Sequence, residues 1–167
     1  MPLRLTSPRR SVLLFISVSF LILVFALLVL WLVDPSYTVI DEEAFEGVIF
    51  SGRRSSDLLG VMVTNDRNED SYWTPPEKQI LALEERLRIR VQDQLPLLAP
   101  WLNTYKRQYF GFVRDGKQLI MIVGFCKQSD KDWRRELITL PEADGCYFEA
   151  QFDVAFDDFL YVWQGSE

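Results

Sequence analysis

Residues 108–125 read QYFGFVRDGKQLIMIVGF, two runs of β-prone residues on either side of an Asp-Gly pair. Asp115-Gly116 between such runs is typical of a two-residue hairpin turn, because both residue types tolerate a positive φ. This turn sets Phe112 opposite Leu119, and side chains then alternate between two apolar faces. The stretch therefore predicts a hairpin in the interior of a sheet. One face carries Phe110, Phe112, Leu119, Met121, Val123 and Phe125.

A helix is predicted on the N-terminal side of this hairpin. Apolar residues recur there at spacings of 3, 4, 4 and 4 positions, which is the period of one helix face. Residues 74–77 are typical of a helix start, because Thr74 can cap the helix and Glu77 can complete a capping box. The apolar face consists of Ile80, Leu83, Leu87, Val91 and Leu95.

Two further strands are predicted after the hairpin. Residues 146–154 alternate between apolar and polar side chains, as in a half-buried antiparallel strand. Residues 159–163, FLYVW, form the last β-prone run. This order predicts an α+β fold with one main helix packed on an antiparallel sheet of about four strands. Two short strands, at 45–50 and 58–63 and joined by a loop at 51–56, are considered as further strands of this sheet.

Residues 12–33 form an apolar run without charge, proline or glycine. As a helix these 22 residues span about 33 Å, close to the roughly 30 Å hydrocarbon core of a bilayer. A cleaved signal peptide is the alternative, but its apolar core is usually only about 7–15 residues long. The run therefore predicts an uncleaved signal-anchor, an N-terminal transmembrane helix with the lipid bilayer as the partner of residues 12–33.

The charges that flank the apolar run predict its orientation. Three arginines precede the run, whereas no Lys or Arg follows it until Arg53. Lys and Arg are enriched on the cytoplasmic side of such helices. We therefore expect a single-pass protein of the bacterial inner membrane, with residues 1–11 cytoplasmic and the C-terminal domain periplasmic or extracellular. Residues 34–72 are then a juxtamembrane segment, and residues 73–167 are the exported helix-on-sheet domain.

The two cysteines are predicted to lie at facing strand ends. Cys126 follows the hairpin and Cys146 opens the next strand, so the two can meet across the intervening loop. In an oxidising compartment such a pair is normally a disulfide, and closing this loop stabilises the fold by about 3 kcal/mol. Free buried thiols and a redox-active pair are the alternatives, although the chain has no Cys-x-x-Cys motif.

Composition narrows the classes of function. The 167 residues include no histidine and carry 18 basic and 24 acidic side chains, for a net charge of −6. The lack of histidine excludes Ser-His-Asp and Cys-His catalytic systems, and the acidic balance argues against nucleic-acid binding. Glu149 and Asp153 share a predicted strand face, but at about 13 Å apart they cannot act as a glycosidase pair. The sequence predicts no catalytic, cofactor-binding or metal-ligating residues.

Aromatic side chains make up 14% of the chain, which is more than a small core needs. Core filling explains most of them, and the alternative is a surface that receives a partner. We predict a non-catalytic binding or interaction module with an envelope protein as its partner. An enzyme or enzyme subunit that acts on envelope substrates through carboxylates and arginines is the alternative. The candidate binding surface consists of Tyr105, Arg107, Tyr109, Trp133 and Trp163.

A series of short motifs runs through residues 73–167. They are Trp73-x-Pro75, Tyr105-x-Arg107-Gln108-Tyr109-x-Gly111, Phe125-Cys126, Trp133, Asp144-Gly145 before Tyr147-Phe148, and Gln164-Gly165. Together they are similar to a group of uncharacterised small bacterial envelope proteins. The resemblance implies a cystatin-like domain with a helix on a sheet, and it implies no established activity. Cys146 and Gln164 depart from the group, which has glycine and asparagine at these positions.

Overall fold

The computed structural model describes residues 21–25, 36–59, 69–126, 132–139 and 145–165. The chain divides into two compact units, Met1–Asp34 and Pro35–Glu167. In the first unit, the described residues 21–25 are helical. All the described strands belong to the second unit.

Within the described residues, the second unit contains one seven-stranded sheet and the helices that connect its strands. The strands are β1 (Tyr37–Glu42), β2 (Phe45–Phe50), β3 (Glu69–Trp73), β4 (Lys106–Arg114), β5 (Lys117–Phe125), β6 (Tyr147–Asp153) and β7 (Asp158–Gln164). The helices are α1 (Gly52–Leu59), α2 (Glu77–Gln94) and a 3-10 helix (Ala99–Thr104).

The sheet is mixed, with the order β1-β2-β4-β5-β6-β7. One edge of β4 is shared: β2 pairs with residues 106–109 in parallel, and β3 pairs with residues 111–114 antiparallel. The other pairs are antiparallel. A parallel pair needs a crossover connection, and residues 51–105 supply it through α1, β3 and α2. The predicted antiparallel sheet of about four strands is therefore wrong, because residues 37–73 add three strands to the same sheet.

The β4–β5 hairpin is confirmed in position and register. Asp115 and Gly116 have φ values of 52° and 70°, which is the left-handed conformation that a type I′ turn requires. Phe112 lies opposite Leu119, as the turn predicts. The two faces also divide as predicted, with Phe110, Val123 and Phe125 on one and Tyr109, Ile120 and Ile122 on the other.

Helix α2 covers one face of the sheet. Its residues Ile80, Leu83, Leu87 and Val91 are at most 1% exposed, and they pack in one cluster with apolar side chains of β4, β5 and β6. This confirms the predicted apolar stripe. Burying each of these side chains stabilises the fold by about 1.5–3 kcal/mol relative to leaving it in water.

The predicted start of α2 is wrong in detail. The helix begins at Glu77 with Pro76 as its N-cap, and no side chain caps it. The hydroxyl of Thr74 instead accepts a hydrogen bond from the N–H of Gly52 at 2.9 Å. Thr74 therefore ties the start of α1 to the residue that follows β3.

The opposite face of the sheet is covered by α1 and residues 132–139. The strand considered at 45–50 is confirmed as β2, whereas the expected loop at 51–56 lies mostly in α1. The strand considered at 58–63 is wrong at residues 58 and 59, which are helical, and the rest lies outside the described residues. The cluster on this face contains Val48, Phe50, Leu59, Phe110, Val123, Phe125, Leu137, Ile138 and Tyr147.

The transmembrane helix predicted at residues 12–33 lies outside the described residues except for 21–25. In the part of the chain that the structure describes, no helix is long and apolar enough to cross a membrane. The longest, α2, has 18 residues but carries charged side chains along most of its length. The predictions of an N-terminal transmembrane helix, of a signal-anchor and of a single-pass location in the inner membrane are therefore corrected, since the described structure gives them no support.

Cys126 and Cys146 are joined by a disulfide bond between the ends of β5 and β6. The two residues face each other directly, and the N–H of Cys126 donates to the carbonyl of Cys146 at 3.1 Å. Their Cα atoms are 5.2 Å apart, within the usual range for a disulfide. The bond closes the loop that carries residues 132–139.

Candidate functional site

The five residues of the predicted binding surface do not share one surface. Tyr105, Arg107 and Tyr109 are buried, with exposed fractions of 4%, 1% and 0%. Tyr105 and Tyr109 pack in the cluster under α2, whereas Trp133 packs against the cluster on the opposite face of the sheet. Trp163 on β7 is half exposed. The structure thus places three of the five in the interior and separates the other two from them.

Strand alternation and two glycines bring Arg107 into the interior. On β4, Arg107 and Tyr109 point to the same face of the sheet, the face that α2 covers. The neighbours of Arg107 across the sheet are Gly47 on β2 and Gly124 on β5. A Cβ on Gly47 would lie 2.8 Å from Cε2 of Tyr109, and one on Gly124 would overlap the ring of Phe148. The glycines therefore let two aromatic rings pack directly on the sheet beside Arg107.

Each nitrogen of the Arg107 guanidinium has an oxygen neighbour. Nη1 donates to the carbonyl of Tyr105 and Nη2 donates to the carbonyl of Leu102, both at 3.0 Å. Nε lies 3.1 Å from Oε2 of Glu84 in an ion pair, although its N–H is not aligned for a hydrogen bond. The ring centroid of Phe45 is 5.1 Å from Cζ, within range of a cation–π contact. Backbone carbonyls, a carboxylate and a ring together fix the guanidinium.

Glu84, Arg107 and Tyr109 form what we call the buried polar cluster. Glu84 on α2 is 9% exposed, and its Oε1 accepts a hydrogen bond from the hydroxyl of Tyr109 at 2.7 Å. Burial raises the pKa of Glu84, while the charge of Arg107 and the Tyr109 hydrogen bond oppose the rise. Burial and the nearby Glu84 carboxylate raise the pKa of Tyr109 well above its ordinary value. Tyr109 therefore stays protonated and donates to Glu84.

Glu84 is the functional candidate that the sequence analysis missed. It lies four residues after Ile80 and three before Leu87, so it belongs to the apolar stripe of α2. A carboxylate inside such a stripe is the signal that could have identified it, because a buried charge needs a partner. The identity of that partner depends on tertiary structure, which brings Arg107 from β4 beneath the helix.

A cleft of about 420 Å³ opens beside the buried polar cluster. It is lined by the turn between β1 and β2, by residues 81–88 of α2, by the 3-10 helix and by Arg107. No side chain of this lining carries a hydroxyl, thiol or amine, so the cleft offers none of these nucleophiles. The apolar lining is Ala44, Phe45, Leu81 and Leu102, and the polar lining is Glu42, Glu43, Glu84, Glu85, Arg88, Asn103 and Arg107.

A second cavity, of about 440 Å³, lies between α2 and the turn that joins β6 to β7. Arg86 pairs with Asp157 there, and Arg90 pairs with Asp158. The hydrogen bond from Arg90 lowers the pKa of Asp158. These side chains are largely exposed, so the pairs connect helix and turn but contribute little to stability. The buried polar cluster beside the first cleft differs from these pairs, because Glu84 and Arg107 are shielded from water.

The described residues offer no evident metal centre. Among them, no group of three or more His, Cys, Asp or Glu side chains is placed to hold a metal ion. Cys126 and Cys146 are bonded to each other. The lining of the cleft supplies charged, hydrogen-bonding and apolar groups.

Comparisons with known proteins assign the chain to no family. No protein-family model, curated protein or solved structure matches the chain. The resemblance to small cystatin-like envelope proteins therefore stays a prediction. The candidate site stands on its geometry alone.

Proposed function

We propose that the second unit is a non-catalytic binding module whose ligand occupies the cleft beside the buried polar cluster. The observation that carries the proposal is the position of Glu84 and Arg107, a charged pair buried in the wall of the cleft. Ligand sites typically combine an apolar lining with a few fixed polar groups in a volume of about 300–1,000 Å³. The cleft combines Phe45, Leu81 and Leu102 with this fixed pair.

The electrostatics of the cluster favour binding over proton transfer. Groups with a perturbed pKa concentrate at functional sites, and burial raises the pKa of Glu84. Both of its oxygens have protein partners, Tyr109 and Arg107, and the guanidinium of Arg107 is held by three oxygens. The pair therefore supplies a rigid polar wall. The alternative of an enzyme that acts through carboxylates and arginines has no specific observation in its favour.

Amide chemical-shift mapping on the full-length chain tests the proposal. The probes are n-hexylamine, n-hexanol and hexanoate, which share one apolar stem and differ in charge. We expect at least one probe to shift the amides of Ala44, Leu81 and Asn103 and to leave those of α1, on the other face of the sheet, unchanged. Binding of no probe at these amides would contradict the proposal.

A pair of variants on α2 supplies the steric control. Leu81 lines the cleft and is 37% exposed, whereas Ile89 lies eight residues further along α2, outside the cleft, and is 63% exposed. Leu81→Trp fills the cleft and should abolish the shifts. Ile89→Trp adds the same bulk elsewhere and should preserve them. Equal effects of the two substitutions would also count against the cleft.

A further inference from the structure

The charges that line the cleft do not cancel. Glu84 pairs with Arg107 at 3.1 Å, and Glu85 pairs with Arg88 at 2.5 Å, so these four charges neutralise one another. Glu42 and Glu43 remain, on the hairpin that joins β1 to β2, and both are exposed. Within the described residues, neither of them has an ion-pair partner. The cleft therefore presents two unneutralised negative charges at its mouth.

The rest of the lining complements the stem of a ligand. Phe45 and Leu102 are buried and Leu81 is partly exposed, so the cleft offers an apolar surface beside the fixed pair of Glu84 and Arg107. We infer that the ligand is an organic cation, an ammonium or guanidinium group on an aliphatic stem. This inference rests on the proposed function, and it adds the chemical class of the ligand. The cation lies at Glu42 and Glu43, and the stem lies against Leu81.

The two arginines of the lining do not make the cleft a site for anions. Arg107 is held by the carbonyls of Tyr105 and Leu102 and by Glu84. Arg88 donates to both oxygens of Glu85, at 2.5 and 2.6 Å. An anion would have to displace these partners and also approach Glu42 and Glu43. A cation meets neither cost, because its charge is opposite to that of the mouth.

Calorimetric titration of the full-length chain with n-hexylamine, n-hexanol and hexanoate tests the sign of the charge. We expect n-hexylamine to bind about tenfold more tightly than n-hexanol, and hexanoate to bind more weakly still. The affinity for n-hexylamine should fall as salt is added, because the charges at the mouth are exposed. Equal or tighter binding of n-hexanol or hexanoate would overturn the inference.

Matched charge variants separate the mouth of the cleft from the net charge of the protein. Glu42→Gln with Glu43→Gln should weaken n-hexylamine binding about tenfold and leave n-hexanol binding unchanged. Asp57→Asn with Glu77→Gln makes the same change in net charge at two exposed acids outside the cleft, and it should have little effect. Equal losses in the two double variants would overturn the inference.

Two more probes distinguish the sources of such a cation. Spermidine represents free polyamines, and the capped peptide acetyl-Leu-Lys-Leu-amide represents a lysine side chain of a protein. Tighter binding of spermidine assigns the site to a small molecule, and tighter binding of the peptide assigns it to a protein segment. Binding of n-hexanol alone in the cleft refutes the cation and preserves the binding module. Binding of no probe refutes both.

Discussion

Arg107 is the cation that compensates the buried carboxylate of Glu84. Substituting Arg107→Met keeps much of the side-chain length and removes the charge. The carboxylate of Glu84 then loses the cation with which it pairs, and breaking a buried pair in this way costs about 3–5 kcal/mol. We expect the free energy of unfolding at neutral pH to fall by about this amount, measured by urea denaturation of the full-length chain.

Two further variants check the reason for that loss. Glu84→Gln in the Arg107→Met background should recover part of the stability, because the amide removes the unpaired buried charge. Arg88→Met breaks the Glu85 pair, whose side chains are 62% and 65% exposed, and should cost less than about 1 kcal/mol. Equal losses for Arg107→Met and Arg88→Met would show that the buried pair is not special.

Glu84 also predicts a pH dependence with a definite sign. Burial raises its pKa in the folded state above the ordinary value of 4.5, so the folded protein holds this proton more tightly than the unfolded chain. The stability that the proton supplies is complete below 4.5 and is lost as the pH rises through the folded-state value. The free energy of unfolding of the wild type, minus that of Glu84→Gln, should therefore fall as the pH rises above 4.5. Urea denaturation of both proteins over this range measures the difference, and a rise would contradict the assignment.

Among individual residues, the sequence identified part of the candidate site. It singled out Arg107 and Tyr109 but assigned both to a candidate binding surface. Alternation along β4 shows which side chains share a face, yet both faces of this strand are apolar, so alternation cannot show what covers each one. Glu84 was missed because its partner lies on another element, 23 residues away in the sequence.

At the scale of elements, Gln108 holds residues 132–139 against the sheet. Gln108 is fully buried on β4, on the face opposite Arg107. Its Nε2 donates to the carbonyls of Trp133 and Glu136, at 2.6 and 2.7 Å, and its Oε1 accepts from the N–H of Ile138 at 3.0 Å. One amide thus satisfies three backbone groups of a segment that is neither helix nor strand.

Substituting Gln108→Leu should release this segment. The three backbone groups lose their partner, and each buried group left unsatisfied costs about 1–3 kcal/mol. We expect the amide hydrogen of Ile138 to exchange at least tenfold faster, while amides of α2 change less. Hydrogen exchange followed by NMR measures this, with Gln118→Leu at an exposed position of β5 as the control. Unchanged exchange at Ile138 would contradict the role given to Gln108.

The hairpin and helix α2 could be predicted because residues close in sequence determine them. The turn at Asp115-Gly116 sets the register of β4 and β5, and the stripe of α2 sets its buried face. Strands β1 and β3 are short, and at least half of the residues in each are polar, so neither shows a clear alternating pattern; their sequences are YTVIDE and EDSYW. Their pairing depends on contacts with distant strands. The parallel pairing of β2 with β4 likewise joins residues about 60 positions apart, which no local pattern reveals.

At the scale of the whole molecule, the sheet separates two apolar clusters. One contains Ile122 and the stripe of α2, and the other contains Ile138, Leu59 and neighbouring side chains. The sequence predicted a single helix across the sheet, and the two apolar faces of the hairpin indicated that the other face is partly covered as well, but not by which residues. The sequence of residues 51–59 does not show that this segment covers the second face of the sheet, because α1 buries only Ser55 and Leu59 among its eight residues. The fold thus has the predicted helix-on-sheet layer and a second layer, formed by α1 and residues 132–139, that no sequence pattern identified.

This separation predicts independent responses to core substitutions on the two faces. Ile122→Val and Ile138→Val each remove one buried methylene, which typically costs about 0.5–1.5 kcal/mol. Because the strands of the sheet lie between the two side chains, the losses should add to within about 0.5 kcal/mol in the double variant. Urea denaturation of the two single variants and the double variant measures the coupling. A larger coupling energy would mean that the clusters repack together, so that a ligand bound in the cleft under α2 could alter the packing of α1 and residues 132–139 on the far face.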